Sequence, residues 1–108
     1  MHKRSDIVVL DTTDLRVTAE GFPLPSKGYG FNNFYAAIEI KLRRVGGESD
    51  GVWLGKLKKD AETLLSLRSQ VVNAYEPLLF LIAFDRKANI VEKVRLANFG
   101  VDVVYQNI

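Results

Sequence analysis

The feature that most constrains the fold is the run Pro77–Phe84, "PLLFLIAF", which is apolar throughout, too short for a helix of its own and set between breakers. A strand of that composition reads as one covered on both faces, the state of a strand in a sheet flanked by helices. Helical patterns stand on either side of it. Upstream, Leu54, Leu57, Ala61, Leu64 and Leu65 recur at three- and four-residue spacing. Lys56, Lys58, Lys59, Asp60 and Glu62 fill the complementary surface, so the spacing predicts an amphipathic helix over 52–70. "GGESDG" ahead of it offers Ser49 or Asp50 as the cap. Downstream, Ile90, Val91, Val94 and Ala97 predict a second helix over 88–98, with Gly100 just beyond its end.

Three more strands complete the pattern. "SDIVVLD" (5–11) and "VDVVY" (101–105) are short β-branched runs. Residues 34–44, "FYAAIEIKLRR", alternate: Ile38, Ile40 and Leu42 point one way, and Glu39, Lys41 and Arg43 the other. That charged row reads either as the solvated side of a half-exposed strand or as a site. Residues 12–33 are polar and glycine-rich, with Pro23 and Pro25 inside "GFPLPSKGYG", and predict a long loop. The order strand, loop, strand, helix, strand, helix, strand, without repeat or linker, is that of a single α/β domain over 1–108, a mixed central sheet flanked by helices. With 108 residues, 47% of them hydrophobic, the chain can bury a substantial core.

Composition removes several chemistries. No cysteine means no disulfide framework and no thiolate zinc site. A single histidine, His2 beside the terminus, leaves little room for histidine-dependent catalysis, so any metal would take oxygen ligands. The longest apolar run is too short to cross a bilayer and no secretory leader opens the chain, so the expectation is a cytoplasmic protein with no membrane partner. A net charge of +2 is only mildly basic. The local clusters "KLRR" (41–44) and "KLKK" (56–59) say more: Arg43, Arg44, Lys56, Lys58 and Lys59 could contact a phosphate backbone, or could be ordinary solubilising charge. Tyr29, Phe31, Phe34 and Tyr35 read as loop anchors or as stacking platforms for bases, and Trp53 as packing. Asp11 and Asp14 read as turn residues, with Asp11 also a fallback carboxylate ligand.

If 5–11 and 34–44 pair as an antiparallel hairpin with Asp6 opposite residue 39, 40 or 41, the partner numbers sum to about 46 and the midpoint falls at Pro23, inside the turn-rich segment. Asp6, Glu39 and Lys41 then converge at one end of the sheet. "RSDIVV", the long loop, "AAIEIKLRR", the helix containing "KLKKDAETLLSLRS" and the strand "PLLFLIAF" together resemble successive parts of the PD-(D/E)XK nuclease superfamily, the restriction-endonuclease-like fold, from residue 4 onward. The resemblance implies Asp6 as the first acidic ligand of a Mg²⁺ or Mn²⁺ ion, Glu39 as the second, the main-chain carbonyl of Ile40 as a further one, and Lys41 as the catalytic lysine. It implies a metal-dependent nuclease acting on DNA. Two departures stand out: serine occupies position 5, where many members have proline, and the helix that usually opens the superfamily core has no counterpart in the five residues before Asp6. A longer parent chain, another subunit or a degenerate scaffold would each account for the second. The alternative is therefore a non-catalytic nucleic-acid-binding or oligomerisation module, in which a homo-oligomer or an additional domain supplies the missing layer.

Overall fold

The computed structural model describes residues 6–10, 33–69 and 76–108, excluding the side chain of Ser69. Its elements are β1 (Ile7–Leu10), β2 (Phe34–Arg43), α1 (Asp50–Ser66) continued by a 3₁₀ turn (Leu67–Ser69), β3 (Leu78–Asp85), α2 (Val91–Ala97) and β4 (Asp102–Asn107). The fold is α/β: one four-stranded mixed sheet in the order β1-β2-β3-β4, carrying two helices. β1 runs antiparallel to β2, while β2, β3 and β4 are mutually parallel. The antiparallel pairing is as expected, with Ile7 opposite Ile38, and Asp6 is a bend just ahead of the ladder. Pro23 and the rest of the predicted loop, with Asp11, Asp14, Tyr29 and Phe31, fall outside the described residues, as does His2.

The helices begin and end where short-range chemistry says they should. Ser49 caps α1, its Oγ accepting the Val52 N–H at 3.4 Å. α2 stops at Asn98, which takes the left-handed conformation at φ 49° that a short polar side chain tolerates, and Gly100 follows at φ 80°. Between β2 and α1 the chain turns through Gly46 and Gly47, where the Gly47 N–H donates to the Arg44 carbonyl at 2.9 Å. A Cβ on Gly47 would stand 2.9 Å from that carbonyl oxygen, so only glycine fits the turn without a shift.

Each parallel pair is joined by a helix, and both crossovers step the same way along the sheet, from β2 to β3 to β4. Right-handed connection of parallel strands then puts both helices on one side. The core agrees: Leu57, Ala61 and Leu64 of α1 and Val94 of α2 form one buried cluster with Leu79, Leu81 and Ala83 of β3. A bulge between the Val9–Ala36 and Leu10–Phe34 pairs leaves Tyr35 exposed and turns Phe34 onto the same covered side.

Four expectations change as a result. β3 is not buried on both faces: Leu79, Leu81 and Ala83 are buried, whereas Leu78 is exposed and Phe80, Ile82 and Phe84 are only half-buried, because the helices among the described residues lie on one side of the sheet. The charged row of β2 is not its solvated side. Glu39 and Arg43 lie under the helices while Ile40 and Leu42 are exposed, the reverse of an ordinary amphipathic strand. Asp60, expected on the polar surface of α1, is buried, and Ala97, expected inward on α2, is exposed.

Candidate functional site

β1 ends against the middle of β2, so the β1-side edge of β2 beyond Ile38 is not continued by the β1 ladder. The Asp6 carboxylate sits there, its Oδ2 accepting the Ile40 N–H at 2.8 Å. In a strand the N–H and C=O of one residue share an edge, since a hydrogen-bonded antiparallel pair exchanges both. The Ile40 carbonyl therefore faces the same edge as Asp6. Opposite Asp6 in the extrapolated register is Glu39, 3% exposed, on the side α1 covers. Two residues on, Lys41 extends its ammonium to 3.5 Å from Asp60 Oδ2; the Lys41 side chain is 38% exposed and that of Asp60 is 2% exposed. Sequence reading missed Asp60, which α1 aims at the same face of β2. Its signal was position: Asp60 falls between Leu57 and Leu64 on the same turn-by-turn stripe, a place where an unpaired carboxylate is costly.

At this end of the hairpin a solvent-facing carboxylate and a main-chain carbonyl, both oxygen donors that a hard cation could take, share one edge, while the Glu39 carboxylate lies buried under α1. Mg²⁺ is commonly bound by one or two carboxylates and keeps several waters, so a complete protein cage is not needed. Among the described residues no three acidic or histidine side chains gather into a group that could hold a metal.

The basic residues separate. Arg44, Lys58 and Lys59 are exposed, and Lys56 is exposed with its ammonium 3.1 Å from Glu48 Oε2. Arg43 is different, and its expected contact with a phosphate backbone is corrected here: its side chain is wholly buried and spent on the interior. Its Nε and Nη2 donate to the two Asp85 carboxylate oxygens at 2.9 and 2.7 Å, a bidentate fork, and its Nη1 donates to Asp50 Oδ1 at 2.8 Å. The guanidinium carbon lies 5.7 Å from the centre of the Trp53 ring, which fixes its other side. Arg43 and Asp85 are register partners and the last residues of β2 and β3, so the pair closes the parallel strands at their C-terminal ends.

Asp85 has no lone pair to spare. Besides Arg43 it accepts from Tyr105 Oη at 2.5 Å and from the Lys87 and Ala88 N–H groups at 2.9 and 3.3 Å. Asn107 donates to the Asp85 and Ala88 carbonyls, and Lys93 reaches Asp50 at 3.1 Å. The C-terminal ends of parallel strands are the usual ligand crevice of an open α/β sheet. Here they are occupied by a saturated network that ties both helix starts to the sheet.

Burial pushes the Asp85 carboxyl up, but the hydrogen bonds from Arg43, Tyr105 and the two backbone N–H groups outweigh it and hold the group well below the ordinary carboxylate range. Hydrogen bonds from Arg43 and Lys93 lower Asp50 as well. Burial, and then the bond to Asp85, raise the Tyr105 phenol. These shifts give stability two limbs. As pH falls below about 4 the unfolded chain takes up the Asp85 proton first, so stability drops. As pH rises past about 10 the unfolded chain loses the tyrosine proton first, and stability drops again. Urea midpoints measured across pH should show a plateau between these limbs. Tyr105→Phe should flatten the alkaline one, and a midpoint unchanged down to about pH 3 would mean that the Arg43–Asp85 pair is solvated.

No family model matches the chain, and neither a curated protein nor a solved structure does.

Proposed function

We infer that the chain is a restriction-endonuclease-like domain that hydrolyses nucleic-acid phosphodiester bonds, DNA first, with a divalent metal at the open end of the β1–β2 hairpin. The observation that supports the reading is the Asp6 carboxylate on the Ile40 N–H, just beyond the Ile7–Ile38 pair, with Glu39 and Lys41 the neighbours of Ile40 in β2. Asp6, Glu39 and the Ile40 carbonyl would hold a Mg²⁺ or Mn²⁺ ion. A bound ion supplies a Lewis acid for the phosphate oxygens and a water of lowered pKa. The Ile40 N–H orients Asp6 by holding one carboxylate oxygen, which leaves the other for the ion. The Lys41 ammonium, steadied by Asp60, stabilises the negative charge that grows on the phosphate oxygens. Arg44, Lys56, Lys58 and Lys59 supply sequence-independent attraction to the backbone.

A specific observation favours a second reading. Glu39 is nearly out of solvent and Lys41 is already engaged with Asp60, as expected of charges that hold a helix onto a sheet. On that reading the scaffold binds nucleic acid without cutting it.

Supercoiled plasmid incubated with the protein in Mg²⁺ or Mn²⁺ separates the two. Hydrolysis predicts nicked and linear products that EDTA suppresses and that Asp6→Asn removes, with melting unchanged because Asp6 is exposed. Intact plasmid in both metals, with binding that survives Asp6→Asn and weakens when Lys56, Lys58 and Lys59 are changed to glutamine, would establish the binding module instead.

A further inference from the structure

The two edges of the sheet are built differently. The β1 edge is short and irregular, four residues interrupted by a bulge, and both features keep a strand edge from pairing further. β4 has neither. Over Asp102–Asn107 its pairing to β3 runs without a shift, it holds no lysine or proline, and its one charge, Asp102, lies on the face away from the helices. The Ile108 N–H donates to the Asp85 carbonyl at 2.9 Å, so at the two-residue period of a strand the main-chain groups of Gln106 and Val104 face β3 as well. Those of Val103, Tyr105 and Asn107 face outward. They form a row of donors and acceptors about 6.6 Å apart, with no strand beside it among the described elements.

Alongside that row, on the helix side, runs a groove of about 390 Å³ between Val94, Arg95 and Asn98 on one wall and Val103 and Tyr105 on the other. No residue of β2, β3 or α1 lines it, which sets it outboard of the packed core, at the β4 edge. We propose that this edge is a peptide-binding site, taking an extended segment of a partner protein as a fifth strand of the sheet. Three features name the occupant. Outward main-chain groups at strand spacing are matched by another extended backbone, not by a small molecule or a nucleic-acid strand. The groove meets one face of the added strand, so it receives every second side chain, and apolar ones, since Val94, Phe99 and Val103 line it. Its one charged side chain is Arg95, 70% exposed and held by a surface pair to Glu92, which favours an acidic residue in the series. A second copy fits less well. Antiparallel pairing of β4 with itself about a two-fold axis puts both helical layers on the same side and brings the second α2 towards the groove that the added side chains would fill. The site lies at the opposite edge of the sheet from β1 and Asp6, and stands apart from the cleavage chemistry.

Synthetic heptapeptides test it on the full chain, with binding followed through amide resonances and hydrogen exchange. In them threonine alternates with three variable places, two valine and one glutamate, the glutamate taking each place in turn. At least one should bind with a dissociation constant below about 1 mM and slow exchange of the Val103, Tyr105 and Asn107 amides, while the Val104 and Gln106 amides keep the protection β3 already gives them. Versions with lysine for glutamate should bind several-fold more weakly, and Arg95→Glu should reverse that order. Val103→Pro removes an outward N–H and leaves the β3 ladder intact, a position at which an edge strand tolerates proline, and should weaken binding about tenfold or more. N-methylation of the peptide at alternate residues should do the same at one parity and nothing at the other, a readout that leaves the protein untouched. No binding by any of the peptides overturns the proposal, and so does binding indifferent to both Val103→Pro and methylation. A charge order that Arg95→Glu leaves unchanged puts the peptide elsewhere and overturns it too. Protection of the outward amides in the free protein would do so as well: at every concentration it assigns the edge to the chain's own segment, and rising with concentration to a second copy.

Discussion

Arg43→Met should cost about 3–5 kcal/mol of unfolding free energy, the range for removing one partner of a buried pair. The reason is what stays behind. Asp85, wholly buried, keeps Tyr105 and two backbone N–H groups but loses the cation that contributes most to offsetting its desolvation. Asp50 also loses its 2.8 Å partner at the start of α1, and Trp53 loses the guanidinium packed against its ring. A domain of this size has about 5–15 kcal/mol in total, so the variant should unfold at a much lower urea concentration. Changing both residues together, Arg43→Met with Asp85→Leu, should recover much of the loss, because no buried charge is then left without its counter-ion. A single-variant shift below about 1 kcal/mol would put the pair in the class of solvated surface bridges and refute the description of the strand ends given above.

Lys41 carries the second large effect, and the two roles assigned to it separate under conservative substitution. Lys41→Met should reduce the cleavage rate by about 10²–10³-fold if its ammonium stabilises charge on the phosphate. It should also destabilise the fold, because Asp60 is left buried beside a thioether. Lys41→Arg divides these outcomes. The guanidinium keeps a positive charge near Asp60, so stability should stay close to wild type, but a planar fork does not reproduce a compact ammonium at one point, and the rate should still fall steeply. Asp60→Asn complements this: it should lower the rate by loosening Lys41. If Lys41→Arg retained full cleavage, Lys41 would be a charge that holds α1 to β2 and the catalytic assignment would be lost.

Much of the molecule was legible along the chain because it depends on neighbours in sequence. The period of Leu57, Ala61 and Leu64 marked α1, Ser49 marked its start, and the β-branched runs marked β1 and β4. The hairpin register followed from the turn-forming composition between two strands, and it held to within a residue. Periodicity also assigned Ile40 and Glu39 to opposite faces of β2, since alternation is a local property of extended backbone. What it could not say was which face the helices would take.

That choice belongs to the tertiary structure. Hydropathy argues for covering Ile38, Ile40 and Leu42, yet the handedness of two successive crossovers, together with the partners waiting at Asp85, Asp50 and Asp60, puts Glu39, Lys41 and Arg43 inside. Arg43 looked like a surface base because its partner stands 42 residues away, beyond the reach of any local pattern. From the sequence alone came the elements, their order and the antiparallel pairing of β1 with β2. Only the folded sheet decided that the charged row would be the covered one and the apolar row the open one, because connection chirality and long-range ion pairing act between segments rather than within them.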